Sequence, residues 1–422
     1  MIYIPLIYFS ILLAYLYRRN KQFDLACYIV LLYGISAFFS VQIDLLHLRS
    51  FDTVHYDISF FACFAYCGLL TLCIIPIAIK SNVQFVHISP VKNESFLRKL
   101  AWISFSYFVF YSFMSTDSIL TVLTSDMQRL RADLYSGSQE AGWMYSLPII
   151  VRLPISFMNM LFGCPWILVF LAFYSLVIQK MHVKYFVLFL GASLIGPVGG
   201  VIGVDRSSTA YWLISIGACY VFFRRWMNSK QKRNVNILLT ITASVFIAYL
   251  ISLTIARFDT EYSGTDSQSS MIAYLGQSYI NFCYFFDTYE CPIPSLFRIF
   301  PLTSQYLFSY SGSTELNQVL TMMTGKTTWI FSSFIGDIII SSHNIVGVLY
   351  CFFFFFIAIN VIRNNKQSNI SQIYLYFLFS SVLFLGVFVY YYASSARTFS
   401  AVVFYFIIRY INKNSVAYSK QL

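Results

Sequence analysis

Long apolar stretches separated by short polar segments make up most of the chain. Eleven of these stretches approach or reach the roughly 20 residues that an α-helix needs to cross a bilayer. The pattern predicts an all-α, polytopic bundle of transmembrane helices, with 1–422 as a single integral membrane domain. The first stretch has neither a basic n-region nor a small-residue cleavage site, so we expect an uncleaved span. The predicted spans are 2–17, 24–43, 57–79, 100–115, 161–179, 185–203, 207–223, 235–255, 344–362, 370–392 and 397–412.

Two long polar segments interrupt this pattern, and the first of them covers 116–160. It ends in an apolar stretch that contains Pro148, Arg152 and Pro154. A full span in that stretch would move the basic loop at 180–184 to the opposite side of the membrane. We therefore predict a re-entrant or interfacial helix at the end of this first loop.

The second and larger polar segment covers 256–343 and mixes carboxylates with Arg, Tyr, Gly and Pro. In an otherwise apolar chain such a segment indicates a function, and we expect it to cap a site on the non-cytoplasmic side. Two of its stretches, 270–286 and 293–310, could instead form a membrane hairpin and raise the number of spans to thirteen. Asp287 and Glu290, with no Lys nearby, argue against a cytoplasmic turn between them.

The composition agrees with a membrane protein. Hydrophobic residues make up 58% of the chain, charged residues 11%, and the mean hydropathy is +0.68. A soluble protein of this length does not have such a composition. The net charge of +11 would suggest nucleic acid, but most basic residues lie in short loops beside spans. The charge therefore indicates membrane topology, and we expect membrane lipids and no nucleic acid as partners.

The distribution of Lys and Arg sets the orientation. Alternation of the eleven spans places most basic loops together, among them 18–21, 80–99, 224–233 and 363–366. This side is predicted to be cytoplasmic, because short cytoplasmic loops carry an excess of Lys and Arg. The N-terminus is then periplasmic and the C-terminus cytoplasmic.

The basic residues left on the other side are almost all arginines. They are eight arginines and one lysine: Arg49, Arg129, Arg131, Arg152, Arg206, Arg257, Arg298, Lys326 and Arg397. The rules of membrane insertion do not favour Arg over Lys. Recognition of a carboxylate or a phosphate does favour Arg, because a guanidinium offers a planar fork of donors. The alternative is that these arginines form structural ion pairs with the carboxylates on the same side.

Motifs of soluble enzymes are absent, including nucleotide-binding loops and metalloprotease helices. His47 and His55 lie among aspartates that could bind a metal, but a solvated loop is favoured, so we predict neither a metal nor another cofactor. His343 stands at a helix start and is expected to cap that helix or to line a cavity. Cys283 and Cys291 lie in the polar segment and could form a disulfide, a question that the sequence leaves open.

Two polar segments share a pattern of Arg, a nearby Asp and Tyr-Ser-Gly. The first reads RADLYSGSQEAG at 131–142 and the second reads RFDTEYSG at 257–264. Arg206 occupies a third, very short loop after the glycine-rich run at 196–203. Charged side chains at membrane level are costly and usually functional. We expect the three arginines to converge on one anion.

This layout resembles the O-antigen polymerase family, also called oligosaccharide repeat-unit polymerases or Wzy-type proteins. The resemblance covers nearly the whole chain in layout and depends on short motifs. Arg131 and Gly142 match the family's Arg-x10-Gly pattern, whereas Arg257 has no Gly at the equivalent spacing. The motifs are RADLYSGSQEAG, the Arg206 turn, RFDTEYSG, and TTWIFSSFIGD at 327–337 followed by Asn344 and Gly347.

The resemblance implies a glycosyltransferase of the bacterial inner membrane, with a GT-C-like fold and two sizeable periplasmic loops. Donor and acceptor would be undecaprenyl-diphosphate-linked oligosaccharides, and undecaprenyl diphosphate would be released. A polysaccharide chain-length determinant protein is the partner protein that the resemblance implies. Fixed guanidinium groups can stabilise the leaving diphosphate without a metal.

The residues assigned to this chemistry fall into three groups. The clamp on the diphosphate is predicted to be Arg131, Arg206 and Arg257, with Arg152 and Arg298 as second choices. Candidates for the base are Glu140, Asp259, Glu261 and Asp337, and an alternative is that Asp259 and Glu261 bind a divalent cation. The remaining predicted substrate-binding residues are Tyr135, Tyr262, Gly142 and Gly264, of which the two tyrosines could stack on sugar rings.

Two other functions remain open at this point. An O-antigen ligase would use the same clamp and usually carries a His-Asn pair in its large loop, which His343 and Asn344 supply without the following Gly spacing. A flippase for the same lipid-linked oligosaccharide would keep its cations in a central cavity and its outward loops short. The long second loop favours an enzyme.

Overall fold

The computed structural model describes residues 1–49, 51–81, 85, 87–124, 148–258, 267–293, 295–308, 313–328, 330–362 and 367–417. These residues are mostly helical, and the prediction of an all-α protein is confirmed. In this part of the chain the one sheet is a parallel pair of two-residue strands, β1 (His87–Ile88) and β2 (Gln367–Ser368). The chain divides into two compact units, Met1–Ile88 with Gln268–Thr398, and Ser89–Ser267 with Phe399–Leu422.

The first unit contains the N-terminal helices and most of the second polar segment. Its helices are α1 (Ile4–Asn20), α2 (Leu25–Leu45), α3 (Phe60–Ile79), α12 (Ser267–Thr288), α13 (Pro301–Phe308), α14 (Ser313–Thr324), α15 (Ser333–Ser341), α16 (Asn344–Val361) and α17 (Ile370–Phe384).

The second unit contains the middle of the chain. Its helices are α4 (Glu94–Met114), α5 (Thr116–Thr124), α6 (Ile149–Leu161), α7 (Pro165–Val177), α8 (Val183–Ala192), α9 (Ile195–Ile202), α10 (Ser207–Phe223), α11 (Ser229–Phe258) and most of α18 (Ser395–Ala417). Every residue from Trp166 to Val177 in α7 is buried, so this helix forms the centre of the unit. Helices α8 and α10 pack against it.

Several helices begin at residues that the sequence marks as caps. Asp24 accepts a hydrogen bond from Cys27 N at 2.9 Å at the start of α2, and Ser59 accepts one from Ala62 N at 3.0 Å at the start of α3. Such caps satisfy backbone donors that the helix itself leaves unpaired. His343 caps α16 through its Nδ1 atom, which accepts from Ile345 N at 3.3 Å. The prediction that His343 caps a helix is confirmed.

Close packing in the first unit depends on small residues. A Cβ atom at Gly276 of α12 would lie 2.3 Å from the carbonyl carbon of Phe39, so only glycine fits there. The hydroxyl of Ser36 donates to the Leu275 carbonyl at 3.0 Å, and that of Ser40 donates to the Gly276 carbonyl at 2.5 Å. Small residues and hydroxyl-to-carbonyl bonds at a helix contact are typical of membrane helix bundles.

Four helical segments in the described residues are long and apolar enough to cross a membrane. A fifth is formed if α6 and α7, which are bent by 62° to each other, count as one broken span. The four are Leu25–Leu45, Phe60–Ile79, Val183–Ile202 and Asn344–Val361. Other predicted spans coincide with shorter helices, since α1 and α10 have 17 residues each and α17 has 15. A membrane protein is supported, and the number of eleven or thirteen spans stays a prediction.

Two stretches differ from the predicted spans for a clear physical reason. The predicted span 370–392 ends as a helix at Phe384, because the carbonyls of Gly386 and Phe388 accept hydrogen bonds from the backbone of Phe334 and Ser333 at 2.8 and 2.9 Å. The stretch 293–310 contains only the eight-residue helix α13 within its described part, which is too short for the second limb of a membrane hairpin.

Candidate functional site

The turn between α9 and α10 places Arg206 in the second unit. Val204 is buried and has a φ of +49°, which is uncommon for a branched residue and marks a tightly held turn. The backbone N–H of Asp205 donates to the Gly200 carbonyl at 2.7 Å. A Cβ atom at Gly200 would lie 2.7 Å from the Asp205 carbonyl oxygen, so the turn requires glycine there.

The Asp205 carboxylate fixes the start of α10 beside Arg206. It accepts hydrogen bonds from Ser207 N at 2.9 Å and Ser208 N at 3.3 Å, and from their hydroxyls at 2.7 and 3.0 Å. A carboxylate that bonds the first N–H groups of a helix also matches the positive end of the helix dipole. Arg206 follows directly, with a half-buried side chain at the first turn of α10.

Helix α11 runs past this turn in the opposite direction to α10. The ring of Trp212 lies 4.8 Å from that of Phe246. The hydroxyl of Tyr249 is buried and has no hydrogen-bond partner among the described residues. Arg257 lies eight positions further along α11, about 12 Å along the helix axis. The backbone of Arg257 therefore lies beyond the Asp205–Arg206 turn, at the same end of this unit.

Helices α4 and α6 contribute aromatic and amide groups to the second unit. The hydroxyl of Tyr107 contacts Oδ1 of Asn159 at 2.6 Å and the Ile155 carbonyl oxygen at 3.1 Å, which joins α4 to α6. One turn after Tyr107, the hydroxyl of Tyr111 lies close to Gly199, at 3.7 Å from the position that a Cβ atom would take there. Helix α4 therefore also contacts α9. Arg152 is half-buried on α6, about two turns before Asn159.

The first unit brings Arg298 and Asp337 together. The guanidinium of Arg298 forms an ion pair with the Asp337 carboxylate, and both residues are buried, at 2% and 6% exposure. Its Nη1 atom also donates to the Asp337 carbonyl at 3.1 Å, and its Nη2 atom donates to Oδ1 of Asn317. The second oxygen of Asp337 accepts from Tyr390 N at 3.1 Å. Arg298, a second choice for the diphosphate clamp, and Asp337, a candidate base, therefore bind each other.

The Arg298 guanidinium remains charged at neutral pH. Burial lowers its pKa to about 10, and the nearby phenol of Tyr289 and thiol of Cys291 oppose that shift. The pair connects the start of α13, helices α14 and α15, and the segment after α17. Both Nη atoms of the guanidinium are bonded within the protein and the side chain is buried, so a structural role fits it best.

A polar network at the loops of the first unit joins segments distant in sequence. The ammonium of Lys326 donates to the carbonyl and hydroxyl of Thr288 and lies 5.0 Å from the centre of the Tyr284 ring. Burial lowers the pKa of Lys326, and the charge of Asp52 raises it. Nearby, the hydroxyl of Tyr56 donates to the Asp287 carboxylate at 2.5 Å. These contacts hold the second polar segment in place, and the Lys326 ammonium already has hydrogen-bond partners within it.

The other candidates from the sequence are a disulfide, a metal site and the His343–Asn344 pair. Cys283 and Cys291 are both buried free thiols, so the disulfide is not formed. Across the described ranges, no group of three His, Cys, Asp or Glu residues could hold a metal ion. His343 caps α16, and the amide of Asn344 donates to the Phe286 carbonyl at 2.7 Å. The His-Asn pair that suggested a ligase is thus used in helix capping.

Most of the predicted site lies outside the described residues. The convergence of the three clamp arginines accordingly stays a prediction, and among the three only the side chain of Arg206 is described. Asp205 could have been found from the sequence, because an Asp two residues before Ser207 and three before Ser208 is a capping signal. Tyr249 had no such signal. The predicted residues outside the described part are Arg131, Tyr135, Glu140, Gly142, Asp259, Glu261, Tyr262 and Gly264, together with the side chain of Arg257.

No protein-family model, no curated protein and no solved structure matches this chain. The residues themselves and their arrangement are therefore what indicates a function. The Asp205–Arg206 turn and the helices around it form the centre of the candidate site.

Proposed function

We propose that this chain is an oligosaccharide repeat-unit polymerase of the O-antigen polymerase type. It joins undecaprenyl-diphosphate-linked oligosaccharides on the periplasmic face of the bacterial inner membrane and releases undecaprenyl diphosphate. The observation that carries the proposal is the position of Arg206. It is a half-buried guanidinium at the break between two apolar helices, and ionisable side chains at membrane level are rare and usually functional.

The chemistry explains why an arginine is needed there. Periplasmic chemistry has no nucleotide sugars, so the energy for the new bond resides in the glycosyl-diphosphate bond of the donor. The acceptor hydroxyl oxygen attacks the anomeric carbon, the bond to the diphosphate oxygen breaks, and that oxygen leaves with the electron pair. The developing negative charge requires fixed cationic donors, and a guanidinium supplies two parallel N–H groups for it.

The proposed roles follow from this step. Arg206 binds the leaving diphosphate together with Arg131 and Arg257, and one of Glu140, Asp259 and Glu261 takes the proton of the acceptor hydroxyl. The arrangement of the second unit supports the pairing of Arg206 with Arg257, because α11 carries the Arg257 backbone past the Arg206 turn.

The proposed membrane arrangement keeps the polar segments on one side. Eleven spans, arranged in a GT-C-like bundle, place the N-terminus in the periplasm and the C-terminus in the cytoplasm. The loops at 116–160 and 256–343 and the Arg206 turn are then periplasmic. The excess of Lys and Arg in the opposite loops supports this orientation.

Substitution of Arg206 tests the proposal. Arg206→Ala is expected to reduce the polymerisation rate about 10²–10³-fold, the usual effect of losing one donor to a developing anion. Arg206→Lys keeps the charge but loses the fork, so an intermediate rate is expected. The control is Arg98→Ala, since Arg98 is 53% exposed and pairs with Glu94 on the surface of α4. The assay is polymer length on a gel, with purified protein in lipid nanodiscs and lipid-linked oligosaccharide as substrate.

A complementation experiment separates the three candidate functions. A strain that lacks the gene and carries Arg206→Ala is expected to make lipopolysaccharide core with a single repeat unit, the pattern of a polymerase defect. A complete loss of surface repeats would instead indicate a flippase or a ligase. Normal long-chain polysaccharide in this strain, at normal protein level, would refute the role of Arg206.

A further inference from the structure

A basic turn, defined as residues 224–233, leads from α10 into the start of α11 in the second unit. It reads RRWMNSKQKR and carries five cations, while no Asp or Glu occurs between 206 and 258. Arg224, Lys230 and Arg233 are exposed, and within the part of the chain that the structure describes none of the three forms an ion pair. These charges are therefore available to an anion from outside the chain.

Hydrogen bonds hold the basic turn in one conformation. The side-chain oxygen of Asn228 accepts from Gln231 N at 2.8 Å, and Oε1 of Gln231 accepts from Asn228 N at 3.1 Å, which is a capping box at the start of α11. Nε2 of Gln231 also donates to the Leu176 carbonyl at 3.3 Å and ties the turn to α7. Met227 is buried. The cations are thus attached to a fixed frame and not to a free loop.

Aromatic rings beside the cations indicate that the basic turn lies at the membrane interface. The guanidinium carbon of Arg225 lies 4.2 Å from the centre of the Trp226 ring, and that of Arg224 lies 6.0 Å from the centre of the Tyr220 ring. Trp and Tyr are enriched where apolar helices meet water, and the charged ends of Lys and Arg extend to the same level. Helices α10 and α11 coincide with two predicted spans, so we expect the turn at the level of the lipid headgroups.

One side of α11 changes from charged to apolar in the direction of the bilayer centre. Arg233, Ile237 and Ile241 follow one another at steps of four residues, so they lie along one side of the helix. Arg233 is exposed, and the two isoleucines are 54% and 59% exposed. Arg233 and Ile241 are about 12 Å apart along the helix axis, within the roughly 15 Å of hydrocarbon in one leaflet. A phospholipid presents the same order, a phosphate followed by an acyl chain.

The start of a helix is an unfavourable place for these cations. Lys230, Lys232 and Arg233 lie within the first five residues of α11. The positive end of the helix dipole disfavours cations at that end of a helix. They therefore do not stabilise α11 by themselves, and a bound anion would remove the repulsion.

A second copy of the chain cannot supply that anion. On the predicted side of the basic turn the sequence contains two acidic residues, Asp24 and Glu94. The Asp24 carboxylate is buried and caps α2, and Glu94 pairs with Arg98. Neither carboxylate is available to the five cations of a neighbouring chain. A ligand with its own negative charge and an apolar tail fits both parts of the surface.

We infer that the basic turn binds the headgroup of an anionic phospholipid in the leaflet that it faces, which is predicted to be the cytoplasmic one. The phosphate contacts the cations of the turn, and an acyl chain follows Ile237 and Ile241. Clusters of roughly four to eight Lys and Arg beside a membrane span attract anionic headgroups, and each cation strengthens the binding about fivefold. The inference does not depend on the proposed function, because the proposed polymerisation site lies on the opposite predicted side.

Native mass spectrometry of the full-length protein in a neutral detergent tests this inference. The probes are dioctanoyl phosphatidylglycerol, which is anionic, and dioctanoyl phosphatidylethanolamine, which is zwitterionic and has the same chains. The wild type is expected to bind the phosphatidylglycerol at least about tenfold more tightly. The α11 triple variant, Lys230→Gln with Lys232→Gln and Arg233→Gln, is expected to lose at least about tenfold of that affinity, and Arg224→Gln alone about fivefold.

A second triple variant controls for net charge. Lys99→Gln with Lys180→Gln and Lys184→Gln removes three exposed cations of the same predicted side outside the basic turn, and it is expected to keep the wild-type affinity. Melting temperatures without added lipid control for folding. Loss of three cations from the start of α11 is expected to leave the melting temperature at or above the wild-type value. Phosphatidylglycerol is expected to raise it in the wild type and in the control variant, and not in the α11 triple variant.

Three results would overturn the inference. They are equal affinity of the wild type for the two lipids, an equal loss of affinity in both triple variants, and wild-type affinity in the α11 triple variant. The first would show an ordinary lipid contact, and the second a general effect of net charge. If the α11 triple variant does not fold, Arg224→Gln takes its place, and an unchanged affinity in that variant has the same meaning.

Discussion

The buried pair of Arg298 and Asp337 gives the sharpest prediction for stability. Arg298→Met would leave the Asp337 carboxylate, 6% exposed, with Tyr390 N–H as its remaining donor. Asp337→Leu would leave a buried guanidinium bonded to Asn317 and to the backbone carbonyl of residue 337. Removal of one partner of a buried ion pair typically costs 3–5 kcal/mol, so each variant is expected to lose about that much.

The double variant is expected to recover much of this loss. Arg298→Met with Asp337→Leu contains no buried charge, and its main remaining cost is the unpaired Tyr390 N–H, roughly 1–3 kcal/mol. The double-mutant cycle should therefore give a coupling energy of about 3 kcal/mol or more. Such a coupling is expected only where two charges depend on each other in a medium that excludes water.

Thermal unfolding in detergent, followed by intrinsic fluorescence at a fixed scan rate, measures the effect. For a domain of 150–250 residues, 1 kcal/mol shifts the melting temperature by about 2–4 °C. The single variants are thus expected to melt roughly 6–20 °C below the wild type. The control is Arg98→Met, whose partner Glu94 is exposed, and which should leave the melting temperature unchanged. Single variants that melt within about 2 °C of the wild type, or a double variant whose loss is additive, would refute the reasoning.

Two further predictions concern the backbone of the two units. Gly386→Ala places a Cβ atom 2.1 Å from the Val382 carbonyl oxygen and 2.9 Å from Phe334 Cβ, so a loss of about 1–3 kcal/mol is expected, visible as a lower melting temperature. An unchanged value would show that the segment after α17 can shift. Asp205→Ala removes the cap of α10 and is expected to lower the free energy of unfolding by about 0.5–2 kcal/mol and to lower polymerisation. Asp205→Asn keeps an oxygen acceptor at this position and should retain most of the stability. Equal melting temperatures of the Asp205→Ala protein and the wild type would contradict the capping role.

Local features of the sequence predicted that the chain is helical. The apolar pattern predicts helices, because a backbone in hydrocarbon must satisfy its own hydrogen bonds. His343 was expected to cap a helix or line a cavity, since it follows two serines and precedes an apolar run, and it caps α16. Each of these properties depends on residues a few positions apart, so no knowledge of the tertiary structure is required.

The ends of helices within apolar stretches could not be predicted in the same way. Nothing in the sequence of 370–392 indicates that its helix ends at Phe384. The break exists because carbonyls at 386 and 388 accept hydrogen bonds from the start of α15, more than fifty residues earlier in the chain. Hydropathy measures the cost of burying a residue and contains no information about the partner that its backbone finds.

The candidate site likewise combines features that the sequence determines with features that only the tertiary structure decides. The sequence by itself determined that the chain is an apolar, helical protein in which the basic residues of one predicted side are almost all arginines, because composition and local order suffice for that. Only the tertiary structure decided that Arg298 pairs with Asp337 and that α10 packs against α11 at Trp212 and Phe246. An ion pair and a helix crossing each depend on distances between residues far apart in the chain, and those distances arise only when the helices pack.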